Sequence, residues 1–329
     1  MTRLRYPHMT AMDRNVKKWL SIFALCLAVM CLPYVISKSY YFLILNIIAI
    51  NALVVLGLNL LIGFAGQISL GHAAFFGMGA YCSAILTTTY HMPVWPTLLA
   101  VMLATAAIAY LIGIPTLRLA GHYLVMATLG FNIIIYILMV QMEPWTGGPS
   151  GFSGIPGLHL GSLAIQTDVE FYWLIWPLLV LFLLLSINLT DSRVGRALRA
   201  IHEDEMTANS LGINTDRYKA IVFALSAAYA SVAGSMYAHY LSFISPKTFD
   251  IFYSIEVVTM AVVGGIGNIW GGIIGAAVLT ALPELLHALR DYALLMYGVI
   301  LMSVLLFFPE GLLPGLLRLC LPHLKKQND

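Results

Sequence analysis

Residues 41–62 read YFLILNIIAINALVVLGLNLLI, and residues 63–71 continue as GFAGQISLG. The first run carries no charged side chain and exceeds the roughly 20 apolar residues that a helix needs to cross a bilayer core. In hydrocarbon every backbone polar group must find its partner inside the segment, so the run reads as a membrane-spanning helix. The second run breaks it with glycines and a side-chain amide. Outward from this stretch the same alternation recurs. Candidate spans fall at 19–37, 41–62, 72–90, 95–114 and 122–140, then at 171–189, 220–241, 251–263, 271–289 and 292–308. The segment 251–263 is short and ends in glycines, so a full crossing and a broken or re-entrant segment both stand.

Composition agrees with the runs. Of 329 residues, 60% are apolar and only 10% charged, with mean hydropathy +0.88. A water-facing domain of this size carries roughly 25% charged residues, so a soluble protein is excluded. A net charge of +2 excludes a nucleic-acid binder or a disordered chain, and four cysteines without pairing or metal spacing exclude a disulfide or zinc scaffold. Cys26, Cys31 and Cys82 lie in apolar runs and read as small packed hydrophobes. The expected fold is an all-α polytopic membrane protein of about ten transmembrane helices.

Orientation follows from Lys and Arg. With the N-terminus inside, fourteen of the 17 Lys and Arg residues fall on the cytoplasmic side, and Lys38, Lys247 and Arg290 remain outside. Both termini are therefore expected in the cytoplasm. The organisation is a cytoplasmic tail at 1–18, a transmembrane domain at 19–308 and a cytoplasmic tail at 309–329. The first span is too long for a cleavable signal core and no A-x-A-like site follows it before Lys38, so it reads as an uncleaved helix.

Two loops interrupt the short connections. The outer loop 141–170 contains WTGGPSGFSGIPG, whose glycines and prolines argue against regular helix or strand. The inner loop 190–219 contains DSRVGRALRAIHEDEMTANSLGINTDRYK. There Val194, Ala197, Leu198, Ile201, Ala208 and Leu211 recur at helical spacing while Arg193, Arg196, Arg199, Glu203 and Asp204 project elsewhere. That pattern predicts a short amphipathic helix or helix pair. Gly212 suits a left-handed helix end, and Asn214, Thr215 or Asp216 suits the cap of the next span. A solvated connector is one reading. The acids at 203–205 disfavour an anionic lipid surface and favour a groove on a cytoplasmic partner.

The stretches 63–71, GFAGQISLG, and 264–272, GGIGNIWGG, share the pattern G-x-x-G-[QN]-I-x-x-G. Close helix packing alone accounts for glycines. The shared amide, Gln67 in one copy and Asn268 in the other, points further, because paired breaks in two halves mark transport pathways. A possible internal repeat follows, parallel if 251–263 crosses fully and inverted if it does not. Gly66, Gln67, Ser69, Thr128, Gly267 and Asn268 are the candidate pathway residues. Glu256 joins them because it lies about two turns beyond Asp250, and an ionisable group inside a span is costly. A protonated or snorkelling carboxyl is the plainer alternative. Asn46, Asn51, Asn59 and Asn132, like Gln67 and Thr128, either hydrogen-bond between helices or face a channel, and for any one of them the interhelical bond is the plainer reading. His72 and His122 follow glycines at inner span edges and have no neighbours at metal spacing.

The run GLNLLIGFAGQISLGHAAFFGMGAY at 57–81 resembles the permease subunits of branched-chain amino-acid ABC importers. So do LRLAGHYLVMATLGF at 117–131, the glycine-rich outer loop, the run VGRALRAIHEDEMTANSLGINTDRYK, and AHYLSFISPKTF with SIEVVTMAVVGGIGNIWGG. The resemblance covers roughly residues 40–280 and is nearer the LivM-type than the shorter LivH-type subunit. It implies an ABC importer permease fold, a LivH-like second permease, two cytoplasmic ATPase subunits that bind the ATP, and a periplasmic or extracellular binding protein delivering leucine, isoleucine or valine. It implies no cofactor on this chain, no nucleic-acid partner and a bacterial cytoplasmic membrane. It also implies that the inner loop couples to the ATPases through Arg196, Arg199, Ile201, Glu203, Glu205, Ala208 and Gly212. Of these, Glu205, Ala208 and Gly212 match the importer signature only loosely. No Gly-Lys dipeptide occurs, so a Walker A loop is absent and the chain is not itself an ATPase. Sister permeases import urea or short amides. An ion-coupled secondary transporter built on Glu256 is a further class, and a purely structural membrane subunit is another.

Overall fold

The computed structural model describes residues 20, 22–27, 29–33, 38–117, 121–160, 163–286, 293–308, 311–313 and 315. Over these the chain is a bundle of helices. They are α1 (Ile22–Pro33), α2 (Ser39–Asn59), α3 (His72–Thr88), α4 (Val94–Thr116), α5 (His122–Gln141) and α6 (Asp168–Asp191). After them come α7 (Arg193–Glu203), α8 (Glu205–Ser210), α9 (Thr215–Leu241), α10 (Ile251–Gly264), α11 (Ile269–Leu286) and α12 (Ala293–Phe307). The tail 1–18 lies outside the described residues, as does most of 309–329.

Every run expected to be a span overlaps a helix among the described residues. Among the described residues six helices are long and apolar enough to cross a membrane: α2 with its continuation to Phe64, α4, α5, α6, α9 and α11. Two of the others, α3 and α10, are shorter. α3 starts inside the bundle, where the His72 ring sits 2.5 Å from Ser226 Oγ well along α9. His72, the first residue of α3, is therefore buried. α10 is 14 residues long and follows a 3-10 turn, Pro246–Phe249, whose Phe249 is buried against Phe76 and Tyr81.

The centre is α2 and α9. An apolar helix in a membrane packs against protein or against lipid, and in α2 residues 48–62 are buried in protein without a gap. The apolar window of α2 is 89% buried and that of α9 78%, against 22% for α5. Between apolar helices in lipid, close packing and interhelical hydrogen bonds replace the hydrophobic drive. Gly234 of α9 accordingly lies on the backbone of Phe76 in α3, with no room for a Cβ. Ser235 Oγ donates to Gly79 O at 3.0 Å, and Ser231 Oγ donates to Thr105 Oγ1 at 3.2 Å.

Helix ends follow their sequence signals. Thr167 and Glu170 form a capping box at the start of α6. Ser192, Asp204 and Asp250 cap α7, α8 and α10. Gly212 adopts φ +86° and Asn214 Oδ1 accepts from Arg217 N at 3.1 Å, so the expected left-handed stop and cap are both present. The outer loop departs from expectation. It contains a helical turn, Glu143–Thr146, and two short antiparallel pairings, Phe152–Ser153 with Phe243–Ile244 and His159–Leu160 with Leu163–Ala164. The pairs are two residues long and fit between the glycines and prolines, which break only longer strands.

Candidate translocation and coupling site

The two glycine breaks meet. Below Asn59 the chain widens into a π-helical turn, Leu60–Phe64, and then unwinds. Gly63 lies flat on the backbone of Gly267, where any Cβ would collide. Asn59 stitches the two together: its Nδ2 donates to Asn268 O at 2.7 Å and its Oδ1 accepts from Gly267 N at 2.9 Å. One amide thus satisfies the Gly267 N–H that unwound backbone leaves open and adds a second donor to Asn268 O, which also accepts from Gly272 N at 3.2 Å.

Each expected pathway residue has a definite place. Gly66 at φ +68° and Gly267 at φ +78° turn the two breaks through the region that glycine tolerates. Asn268 Oδ1 accepts from Trp270 N at 3.1 Å and Gly271 N at 3.3 Å, so this amide caps α11. Gln67 Nε2 donates to Ala65 O at 3.2 Å, holding the first break locally. Ser69 is buried and accepts from Gly71 N. Thr128 Oγ1 accepts from Leu70 N at 3.1 Å, tying the returning chain to α5. Ser254 Oγ accepts from Ala73 N at 3.0 Å, tying α3 to α10. Glu256 stands apart: it is half-buried on α10 and makes no hydrogen bond or ion pair among the described residues.

The α7–α8 loop packs beneath this junction. Ala197, Leu198 and Ile201 of α7 and Ala208 of α8 are buried within the chain. The apolar stripe expected to meet a partner is therefore largely spent inside, because helical periodicity says that a face is buried but not against what. Ile201 and Ala208 position the loop from within. Arg196, Arg199, Glu203 and Gly212 face outward. Two apolar side chains join them: Met206 is 81% exposed and Leu211 76%. Glu205 turns back to Lys219, whose buried Nζ lies 2.5 Å from Glu205 Oε1 and donates to Leu117 O at 2.9 Å. Asp204 accepts from the hydroxyl and backbone of Thr207 and from Met206 N, and these bonds hold its carboxyl below the usual range.

Sequence reasoning named Asn59 chiefly as helix glue and missed His202. A Cβ at Gly66 would come within 3.0 Å of His202 Nδ1, so the end of α7 touches the first break directly. Nothing in the spacing of His202 marks it, since its contact lies far away in the chain. Lys219 was legible only as a positive-inside charge.

Residues 40–307 match the family described as branched-chain amino acid transport system / permease component. The chain is 34% identical to the high-affinity branched-chain amino acid transport system permease protein LivM of Escherichia coli (strain K12), over 95% of this chain and 78% of that protein. It is 29% identical to the LivH permease of Salmonella typhimurium over 80% of this chain and 90% of the relative. Identity to the BraD permease of Pseudomonas aeruginosa is 28%, over 80% and 91%. No solved structure matches. The motifs quoted from the sequence, the six spanning helices and the matched family therefore converge: this multi-pass membrane chain belongs to the branched-chain amino acid transport system permease components.

Proposed function

We propose that this chain is one of two permease subunits of an ATP-driven importer that carries leucine, isoleucine or valine across a bacterial cytoplasmic membrane. Residues 19–308 form its membrane body and both termini face the cytoplasm. A LivH-like permease completes the conduit, two ATPase subunits bind the ATP, and an external binding protein delivers the solute. Relatives named as LivM and LivH support the pairing of two unlike permeases.

The observation that carries the mechanism is the continuous contact path from loop to conduit. Arg196, Arg199, Met206 and Leu211 present a mixed charged and apolar surface to an ATPase groove. Movement of α7 reaches Gly66 through His202, and Gly63 and Asn59 pass it to Gly267 and Asn268. Backbone that is already unwound at both breaks bends there at little cost, and the spans above them tilt. Reversing charge at both Arg196→Glu and Arg199→Glu is expected to leave the assembled complex hydrolysing ATP while uptake of radiolabelled leucine collapses. Normal coupled uptake in that double variant would refute the coupling role.

A further inference from the structure

Helix α10 has one buried and one open face. Ser254, Val257, Met260 and Ala261 pack inward. Phe252 is 73% exposed, Ile255 is 45% exposed, and Glu256 and Thr259 are half-buried. These four stand at i, i+3, i+4 and i+7, so they form a single stripe. Other carboxylates in the membrane-spanning helices are held. Asp168 accepts from Ser39 Oγ and Tyr240 OH, Glu170 from the amides of Gln166 and Thr167, and Glu284 from Tyr40 OH. Glu256 alone among these four is unheld by any described residue. A bare carboxylate turned to lipid is costly, and a ligand that supplies N–H donors removes that cost.

We propose that the open face of α10 binds the transported amino acid, with Glu256 taking its ammonium group and Phe252 and Ile255 taking its branched aliphatic side chain. This rests on the reading of the chain as an amino-acid permease. Thr259 adds to the fit. Its hydroxyl hydrogen is committed to Ile255 O at 2.8 Å, so its oxygen is left as an acceptor one turn from Glu256. Two acceptors so placed suit an ammonium with its three donors. One turn earlier, the exposed Phe252 and Ile255 offer apolar surface for an isobutyl or sec-butyl chain. The helix ends at Gly264, where the second break begins, so a shift at the breaks moves the binding face itself.

The test uses the complete permease–ATPase complex in nanodiscs without binding protein, and measures equilibrium binding of leucine and of isocaproate, which is leucine without its ammonium. Wild type is expected to prefer leucine by roughly ten- to a hundredfold, the range a charge-assisted hydrogen bond confers. Glu256→Gln is expected to abolish that preference and Glu256→Asp to retain part of it, with all subunits still co-purifying. A Gln variant that keeps the preference overturns the assignment, and so does a wild type without one. In a parallel proteoliposome assay with loaded binding protein, a wild-type complex that takes up no leucine overturns the transport reading, and this inference with it. Leucine uptake with discrimination untouched in the Gln variant overturns this inference alone.

Discussion

At Asn59 a single amide satisfies Gly267 N and Asn268 O, two backbone groups that sit where helix has given way to unwound chain. Replacing it by leucine, close in volume but without polar atoms, leaves Gly267 N unpaired, while Asn268 O keeps its bond from Gly272 N at 3.2 Å. Each unsatisfied group costs about 1–3 kcal/mol, so the purified complex should lose thermal stability by that order and uptake should fall with it. An unchanged unfolding midpoint would mean that the two breaks are held by packing alone. Asn268 calls for a different pair of variants. If its side chain matters as the cap of α11, serine preserves the function and alanine loses about 0.5–2 kcal/mol. Equal losses in Asn268→Ser and Asn268→Ala would instead point to a role for the amide beyond capping. Gly63 admits no variant of this kind, because any Cβ meets the Gly267 backbone.

Among the elements, the α7–α8 pair shows where reading the sequence stops. Its helices, their caps and the stop at Gly212 follow from local chemistry, and local chemistry is what a sequence displays. The partner of its apolar stripe is set by tertiary contact: Leu198 and Ile201 go inward, and only Met206 and Leu211 remain for another protein. The same limit applies to the membrane helices. Charge-free runs announce spans, yet the start of α3 inside the bundle depends on Ser226, 154 residues away from His72. The paired breaks were legible as a repeated pattern, whereas their mutual contact was not. At this scale the acid side of the loop makes a prediction. Asp204 caps α8 with its carboxyl held below its ordinary value of about 3.9. A lowered acid stabilises the folded loop above its unfolded pKa, and that contribution fades as pH falls through the lower folded value. Hydrogen-exchange protection at Met206 and Thr207, corrected for intrinsic rates, should therefore drop below about pH 4. Asp204→Asn, which still caps but does not titrate there, should show no such drop.

Across the whole molecule the contacts form one line. The α7–α8 loop touches Gly66 through His202, the first break lies on the second through Gly63, and the second break begins where α10 ends. The central helices α2 and α9 are nearly immersed and resist deformation, so displacement concentrates at the unwound segments. If loop and break move as one body, His202 and Gly66 must be energetically coupled. His202→Ala should lower the leucine taken up per ATP hydrolysed without lowering ATP turnover. Gly66→Ala forces an alanine into φ +68°, a strain of about 1–2 kcal/mol, and brings its Cβ within 3.0 Å of His202 Nδ1. In the double variant that approach disappears while the backbone strain persists, so the two losses should not add. A coupling energy of about 0.5–3 kcal/mol is the range for residues in contact. Losses in uptake that add to within about 0.5 kcal/mol would show that the loop and the break move independently. The path from ATPase to conduit would then have to run through the Lys219–Glu205 pair, of which only the Lys219 side chain is buried, and α9 instead.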